Sequence, residues 1–524
     1  MKIKKRFYII ITAIIISNVV FGKEEIKQVR PPHERIKIYN DESRALHLGV
    51  PIWKKLSAKD NCFTTRAMSN LKYENIKNYD VVVIHNLIES IPYSDQEIES
   101  VMRYVNNGGG LLVIGLSSQI RTKAKYHKDK FVELVPVPKS EFCSNQIASK
   151  FKIAFSNGLR QGTPSFNNNA LNQNVNKQTL AFELPLNPLL TLKGADCTTL
   201  VEGYGHPVAV AVEYGKGRAI FVGVSRLFMQ YGKLPDRKLG LTDDIIAEQK
   251  ALFMKWLIWL AEARHSNNAE SDIYPVDIYP EEKIETESAQ FYFIPQLETQ
   301  AVKIADDWKL IWSDFSNYLG VESPLQFVMD ADEGQKLTVL LRVSRAGGLS
   351  GGHRISVPVL GESWRAAGVL SHEVGHKLLG GETTGMSEGS AEWLSARGLK
   401  AAGYYKEAQE KLDTHLAEYY KLDPNGNILD ITDELMDIRE SKACQGKWIW
   451  ILGEMEKKYG GDFWKRYVKQ LEKKYQLVGS HRRYIDEQHP REKITYEEMV
   501  AVMNTVAGED ITDWLKEHGI KVKD

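Results

Sequence analysis

The chain has 524 residues, of which 43% are hydrophobic and 26% charged, with 68 basic side chains against 68 acidic ones. That length exceeds what one hydrophobic core usually supports, so two or three domains are expected. Balanced charge excludes a polycation built for nucleic acid, and four cysteines without a CxxC pair exclude cysteine zinc sites and redox motifs.

Residues 1–22 read MKIKKRFYIIITAIIISNVVFG, with Lys2, Lys4, Lys5 and Arg6 ahead of an apolar run from Phe7 to Ile16. This is the pattern of a secretory signal peptide, cleaved before Lys23. The run falls short of the ~20 apolar residues that span a bilayer, so no stable membrane anchor is expected. The expected location is secreted, periplasmic or at the cell surface. No cysteine follows the run to take a bacterial lipid anchor. In an exported protein Cys62, Cys143, Cys197 and Cys444 allow three disulfide pairings, and buried free thiols are the equal alternative.

From Arg35 to about His265 strand and helix signals alternate. RIKIYND and YDVVVIHNL are short β-rich runs, and SDQEIESVMRYVNNGGG predicts a helix with Ser94 as N-cap and a glycine stop. GLLVIG follows as a buried strand, which gives an α/β pattern with parallel strands. PVAVAVEYGKGRAIFVGV reads as two strands around Gly215-Lys216, and LTDDIIAEQKALFMKWLIWLAEAR as an apolar helix. Asn167 to Asn176 reads as an insertion loop. YDVVVIHN, NNGGGLLVIG and EYGKGRAIFVG together resemble a class I glutamine-amidotransferase-like domain, which implies a flavodoxin-like α/β sandwich over 35–265. Catalytic members of that family place a cysteine after the strand, where this chain has Leu116, Ser117 and Ser118. The domain is therefore expected to be non-catalytic, since no visible base accompanies Ser117.

Residues 266–282 carry prolines and no helical or strand period, so they are predicted to be a linker. Residues 283–524 are expected to form an α+β domain with a mostly helical C-terminal part. Its predicted elements are QFYFIPQLE, the helix ETQAVKIADDWKLIWSDFSNYLG, the strands PLQFVMDAD, KLTVLLRVS and HRISVPVLG, and then helices. GKWIWILGEMEKKYGGDFWKRYVKQLEKKY reads as core-forming amphipathic helix, with a membrane or partner helix as the alternative.

ESWRAAGVLSHEVGHKLLGG predicts a helix with Ser363 as N-cap and Gly380-Gly381 as the stop. His372 and His376, four apart, project from one face, so both imidazoles reach one Zn²⁺, and Glu373 is angled toward a water there. A catalytic zinc needs a third protein ligand and an open position. SEGSAEWLSARGLK predicts a second helix starting near Ser387, which brings Glu388 and Glu392 onto one face. Glu382 lies too near the glycine turn to be a favoured ligand.

The pattern His372-Glu373-x-x-His376 followed by Glu388 in SEGSAEW resembles the gluzincin zinc metallopeptidases. The resemblance implies one zinc per chain held by His372, His376 and Glu388, with Glu373 as general base. Glu392 falls where a carboxylate accepts a hydrogen bond from a zinc-bound histidine; a surface carboxylate is the alternative. Gly375 in HEVGH and the fusion to an amidotransferase-like domain resemble the enhancin-like, mucin-directed peptidases, whereas EGSAEW is nearer to aminopeptidase-type gluzincins. HRISVPVLG stands where such enzymes carry an edge strand that pairs with a peptide. The oxyanion-stabilising donor stays open among Tyr404, Tyr405, His481, Arg482 and Tyr484. The expected activity is an exported zinc metallopeptidase acting on proteins or glycoproteins. The alternative is a secreted binding or adhesion protein whose metal site does not turn over.

Overall fold

The computed structural model describes residues 35 to 520, apart from 44–49, 52–55, 57, 86–91, 116–121, 127–129, 137–141, 157–159, 182–183, 231–241, 269–276, 329–330, 343–348, 360, 380–383, 423–437, 480–481, 486–491 and 519. The expected signal peptide, Ser117, the Gly380-Gly381 stop, Glu382 and His481 lie outside the described residues.

The apolar runs of the first half become strands buried on both faces, as parallel strands require. They are β1 (Ile36–Asp41), β2 (Cys62–Ala67), β3 (Val81–His85) and, after helix α1 (Asp95–Asn106), β4 (Gly110–Ile114). Ser94 caps α1 in a reciprocal box with Glu97, so the local signal read from sequence fixes where this helix starts. A hairpin follows, β5 (Thr122–Tyr126) and β6 (Lys130–Pro136), then β7 (Ser165–Phe166), β8 (Thr198–Gly203), β9 (His206–Tyr214) and β10 (Gly217–Val222). One eight-stranded sheet results, in the order β7-β8-β9-β10-β4-β3-β1-β2. The strands from β10 to β2 are parallel, and β9, β8 and β7 add antiparallel strands at the other edge. Helix α2 (Asp243–Asn268) seals one face with Trp256, Leu257 and Leu260.

A second sheet forms from β11 (Glu282–Glu285), β12 (Ala289–Phe293), β13 (Leu337–Arg342), β14 (Leu349–Gly351) and β15 (Arg354–Pro358). Between β12 and β13 runs helix α3 (Glu298–Leu319), closed by Gly320 in the left-handed conformation. After the two-residue strand β16 (Gly361–Glu362) come α4 (Ser363–Leu378), α5 (Thr384–Ala401), α6 (Tyr405–Leu422), α7 (Ile438–Tyr459) and α8 (Phe463–Lys474). Helix α9 (Tyr496–Ala507) lies near the C-terminus. One core joins this sheet to the helices, around Trp308, Trp448 and Trp464.

Several expectations are corrected. PLQFVMDAD is turn rather than strand at residues 324–327, where Leu325 and Phe327 are buried as anchors of a connection. HRISVPVLG is not the sheet edge: β15 lies between β13 and β14, and Leu349–Gly351 takes the edge. The glycines of GGLSGG weaken the strand signal there. Ser363 is the first helical residue of α4 rather than its cap, and α5 begins at Thr384, ahead of Ser387. Helix α2 runs to Asn268, into the expected linker, and Ile278 bridges to Ala67 beside β2. The four cysteines are free thiols.

The two sheets are tied together by buried charge. The Glu42 side chain is fully buried and accepts from Arg66 on β2 and from Arg342 at the end of β13, at 3.1 and 3.2 Å. Asp277 pairs with Arg354 and lies 3.9 Å from Arg66. Strand β16 pairs with β6, which places the start of α4 against the hairpin that follows β4.

Candidate metal centre

Helix α4 forms from a run with apolar residues at Ala366, Ala367, Leu370, Val374 and Leu378, all buried. Its packing partner is α5, and the contact is made by small residues. A Cβ on Gly375 would stand 2.9 Å from the Ala391 Cα, and one on Gly398 would stand 2.1 Å from the Ser371 Oγ. Ser395 Oγ donates to the Gly368 carbonyl at 2.7 Å. The two helices therefore pack closely through small residues, and this closeness carries Glu388 to the histidines.

His372 and His376 face each other with Nε2 to Nε2 at 3.0 Å. Glu388 Oε2 is 3.3 Å from His372 Nε2, and its Oε1 is 3.5 Å from His376 Nε2. A tetrahedral zinc with bonds of ~2.05 Å has ligand-to-ligand edges of about 3.3 Å; the Nε2–Nε2 and His372 Nε2–Oε2 separations are near that value, and the carboxylate spans to His376 with its other oxygen. The three side chains keep 16%, 21% and 34% of their surface exposed, which leaves the fourth direction open. Two imidazoles and a carboxylate suit zinc by donor type as well. No other group of three such ligands occurs among the described residues.

The remote ring nitrogens are both engaged. His372 Nδ1 lies 3.2 Å from Glu392 Oε1, and His376 Nδ1 lies 3.0 Å from Ser387 Oγ. A histidine that binds metal through Nε2 carries its proton on Nδ1, so each ring would donate there, one to a carboxylate and the other to a hydroxyl. Behind Glu392, its Oε2 meets the Lys411 ammonium and lies 3.7 Å from His415 Nε2, both on α6.

The electrostatics suit a cation. Burial opposes charge on His372, but Glu388 and Glu392 outweigh it and lift the ring to about 9. His376 is lowered by burial, with the neighbouring His372 adding to it against the pull of Glu388. Glu392 is held well below the usual carboxylate range: burial works against this, and His372, His415 and Lys411 overcome it. Glu373, 7% exposed, is raised by burial and by Glu388 nearby. Lys377 is pushed down to about 8 by burial, and its ammonium donates to the Gly352 carbonyl in the turn after β14.

Of the residues singled out from sequence, the structure brings together His372, His376, Glu388 and Glu392, with Glu373 beside them on α4. It does not bring Tyr404 to this place. That hydroxyl lies 3.0 Å from Asp307 Oδ2 and 3.1 Å from Ser363 Oγ, at the far end of α4. Tyr405 is 66% exposed at the start of α6. Arg482 belongs to a small separate sheet, where it pairs with Lys493, and the Tyr484 amide just beyond that strand donates to the Gln476 carbonyl. Sequence reasoning missed Ser387 as a histidine partner, as well as Lys411 and His415. Only the spacing of Ser387 from His376 offered a signal, and in the sequence Ser387 reads simply as the start of a helix.

No protein-family model matches the chain, and no curated protein matches it. Among solved structures, a cytoplasmic protein of Salmonella typhimurium is 13% identical, covering 41% of this chain and 98% of its own, with a TM-score of 0.27. Yeast LTA4 hydrolase in complex with bestatin is 12% identical over 46% of this chain and 40% of its own, with a TM-score of 0.32. A mutant of an M1 zinc metallopeptidase from Deinococcus radiodurans is 13% identical over 46% of this chain and 52% of its own, with a TM-score of 0.29. These likenesses are distant, and the metal centre stands on its own geometry.

Proposed function

We propose that the chain is an exported zinc-dependent peptidase acting on proteins or glycoproteins. The observation that carries this reading is the convergence of His372 Nε2, His376 Nε2 and the Glu388 carboxylate: the ring nitrogens are 3.0 Å apart, with Oε2 3.3 Å from the first and Oε1 3.5 Å from the second. Glu373 stands on the same helix, where a purely structural metal site would have no use for a buried carboxylate. Export is supported by the basic and apolar pattern of residues 1–22. The region 35–265 is read as non-catalytic, because Leu116, Ser117 and Ser118 replace a cysteine after β4.

His372, His376 and Glu388 would hold the ion. When bound, zinc supplies a lowered pKa for water and polarisation of the scissile carbonyl. Glu373 takes the proton of the attacking water and delivers it to the departing amine, so the peptide bond breaks to a carboxylate and an amine. Burial suits Glu373 to this exchange by raising its proton affinity toward that of the groups it serves. Ser387 and Glu392 hold the two rings in the tautomer that keeps Nε2 free for metal.

Zinc content and digestion of casein and of a mucin-type glycoprotein, measured on the full chain, test the reading. Wild type should bind one zinc and digest at least one of the two. Glu373→Gln should keep its zinc and digest at least ~100-fold more slowly, the usual share of a general base. Glu388→Gln should lose the metal. A wild type that binds less than one zinc at saturation would refute the proposal. Full zinc without hydrolysis of either substrate would favour a binding protein instead.

A further inference from the structure

The carboxylate behind His372 is itself held from behind. Glu392 is 14% exposed, and its Oε1 faces His372 Nδ1 while its Oε2 rests against the Lys411 ammonium. Lys411 and His415 are four apart on α6, so they share one face, and His415 Nε2 is 3.7 Å from the same Oε2. Lys411 and His415 are 26% and 11% exposed, so the contact is largely shielded from solvent.

A carboxylate tethered by one oxygen turns about its last bond, and a histidine ring whose Nδ1 has lost its partner turns with it. Such a turn would take the His372 Nε2 out of the 3.0 Å and 3.3 Å edges that define the site. His376 has only a hydroxyl at its remote nitrogen, so the geometry of the pair depends most on His372. Gly446 lets α7 approach α6 closely, since a Cβ there would stand 2.2 Å from the His415 carbonyl. The third helix thus fixes the height at which Lys411 and His415 meet Glu392.

We infer that Lys411 is a positioning residue for the metal centre: it anchors Glu392 Oε2, aims Oε1 at His372, and so holds that ring on the His376 and Glu388 side. This rests on the reading of the site as a metal centre. It goes further, because a residue on α6, outside both site helices, sets how well the ligands are organised. Had Lys411 only joined α5 to α6, its loss would lower stability and leave metal affinity unchanged.

The test is zinc affinity of the full chain, measured by competition with a chromophoric chelator well below the melting temperature. Lys411→Met should raise the zinc dissociation constant about tenfold, the low end of what losing a ligand's own partner costs, because Lys411 acts through Glu392. Lys411→Arg, which keeps the charge and a donor, should restore most of it. Lys406→Met, on the same helix with its side chain 80% exposed, should bind zinc as wild type does. Should Lys411→Met fail to fold, Lys411→Gln is read by the same tenfold criterion. A folded Lys411→Met or Lys411→Gln that binds zinc within twofold of wild type overturns the inference and leaves the metal centre standing. A wild type that takes up no zinc overturns both.

Discussion

Gly375→Ala is the sharpest perturbation of the metal centre that leaves every ligand in place. In an exposed helix interior the change would stabilise by about 1 kcal/mol, because alanine is the better helix former. Here the new Cβ would meet the Ala391 Cα at 2.9 Å and the Ala391 carbonyl oxygen at 3.4 Å. Carbon atoms pack at about 3.5 to 4 Å, so α4 and α5 would have to separate by roughly 0.6 to 1 Å. Overpacking of that order costs about 1–3 kcal/mol, which outweighs the propensity gain and leaves a net loss of ~1 kcal/mol. The same separation would stretch the 3.3 and 3.5 Å edges from the histidines to Glu388, and zinc should bind at least tenfold more weakly. Gly453→Ala is the matched control, since its Cβ would meet only the Trp393 ring at 3.5 and 3.6 Å. That variant should be neutral or more stable by up to ~1 kcal/mol and should bind zinc normally. Denaturant unfolding and chelator competition on both variants give the answer. A Gly375→Ala protein more stable than wild type, with unchanged zinc affinity, would refute the claim that close helix approach builds the site.

Arg342→Met should destabilise the chain by about 3 kcal/mol in denaturant unfolding, at the low end for breaking a buried pair because Glu42 keeps Arg66. A loss under half a kcal/mol would show that Glu42 does not need the second arginine. Cys62 is buried and its thiol is pushed up to about 12, by burial first and then by Asp60. Mass spectrometry should find it unmodified by iodoacetamide at pH 8 in the native protein and fully modified in denaturant. Burial opposes the charge on Glu498, but the Thr495 amide and Arg483 outweigh it and hold its carboxyl below the usual range. A lowered folded value means stability that is present above the unfolded pKa of ~4.3 and lost as pH falls through the folded one. Glu498→Gln should therefore flatten the decline in melting temperature between about pH 5 and 3.

What was legible in the sequence was what local spacing encodes. His372 and His376 follow from a helix period, Ser94 and Glu97 from a capping box, and the buried strands from unbroken apolar runs. Glu388 was legible because SEGSAEW after HEVGH resembles a known metallopeptidase pattern, with enough chain between them to turn back. Ser387 reads in the sequence only as the start of a helix, whereas α5 has already begun at Thr384 and the Ser387 hydroxyl meets His376 instead. Lys411 and His415 were silent, since α6 declares an amphipathic face without declaring which carboxylate that face meets. The edge strand was hidden for a different reason: GGLSGG lacks the β-branched residues that mark a strand, and pairing with β15 supplies what propensity does not.

Helix α4 is positioned from two sides. Its ligand-bearing part is set by α5 through Gly375, but its first turn is set elsewhere. Gly361 sits at φ +98°, a conformation that side-chain-bearing residues rarely adopt, and its partner across the ladder is Val132 of β6. That strand belongs to the hairpin after β4, so the entry to α4 is hydrogen-bonded to the first half of the chain. The same joint is closed by Glu42, whose fully buried carboxylate is matched by one arginine from each sheet. Removing the first half would take Glu42 from Arg342, 14% exposed, and leave β16 as an unpaired edge. In this structure the α/β region therefore contacts the chain where α4 begins, through β6 and Glu42.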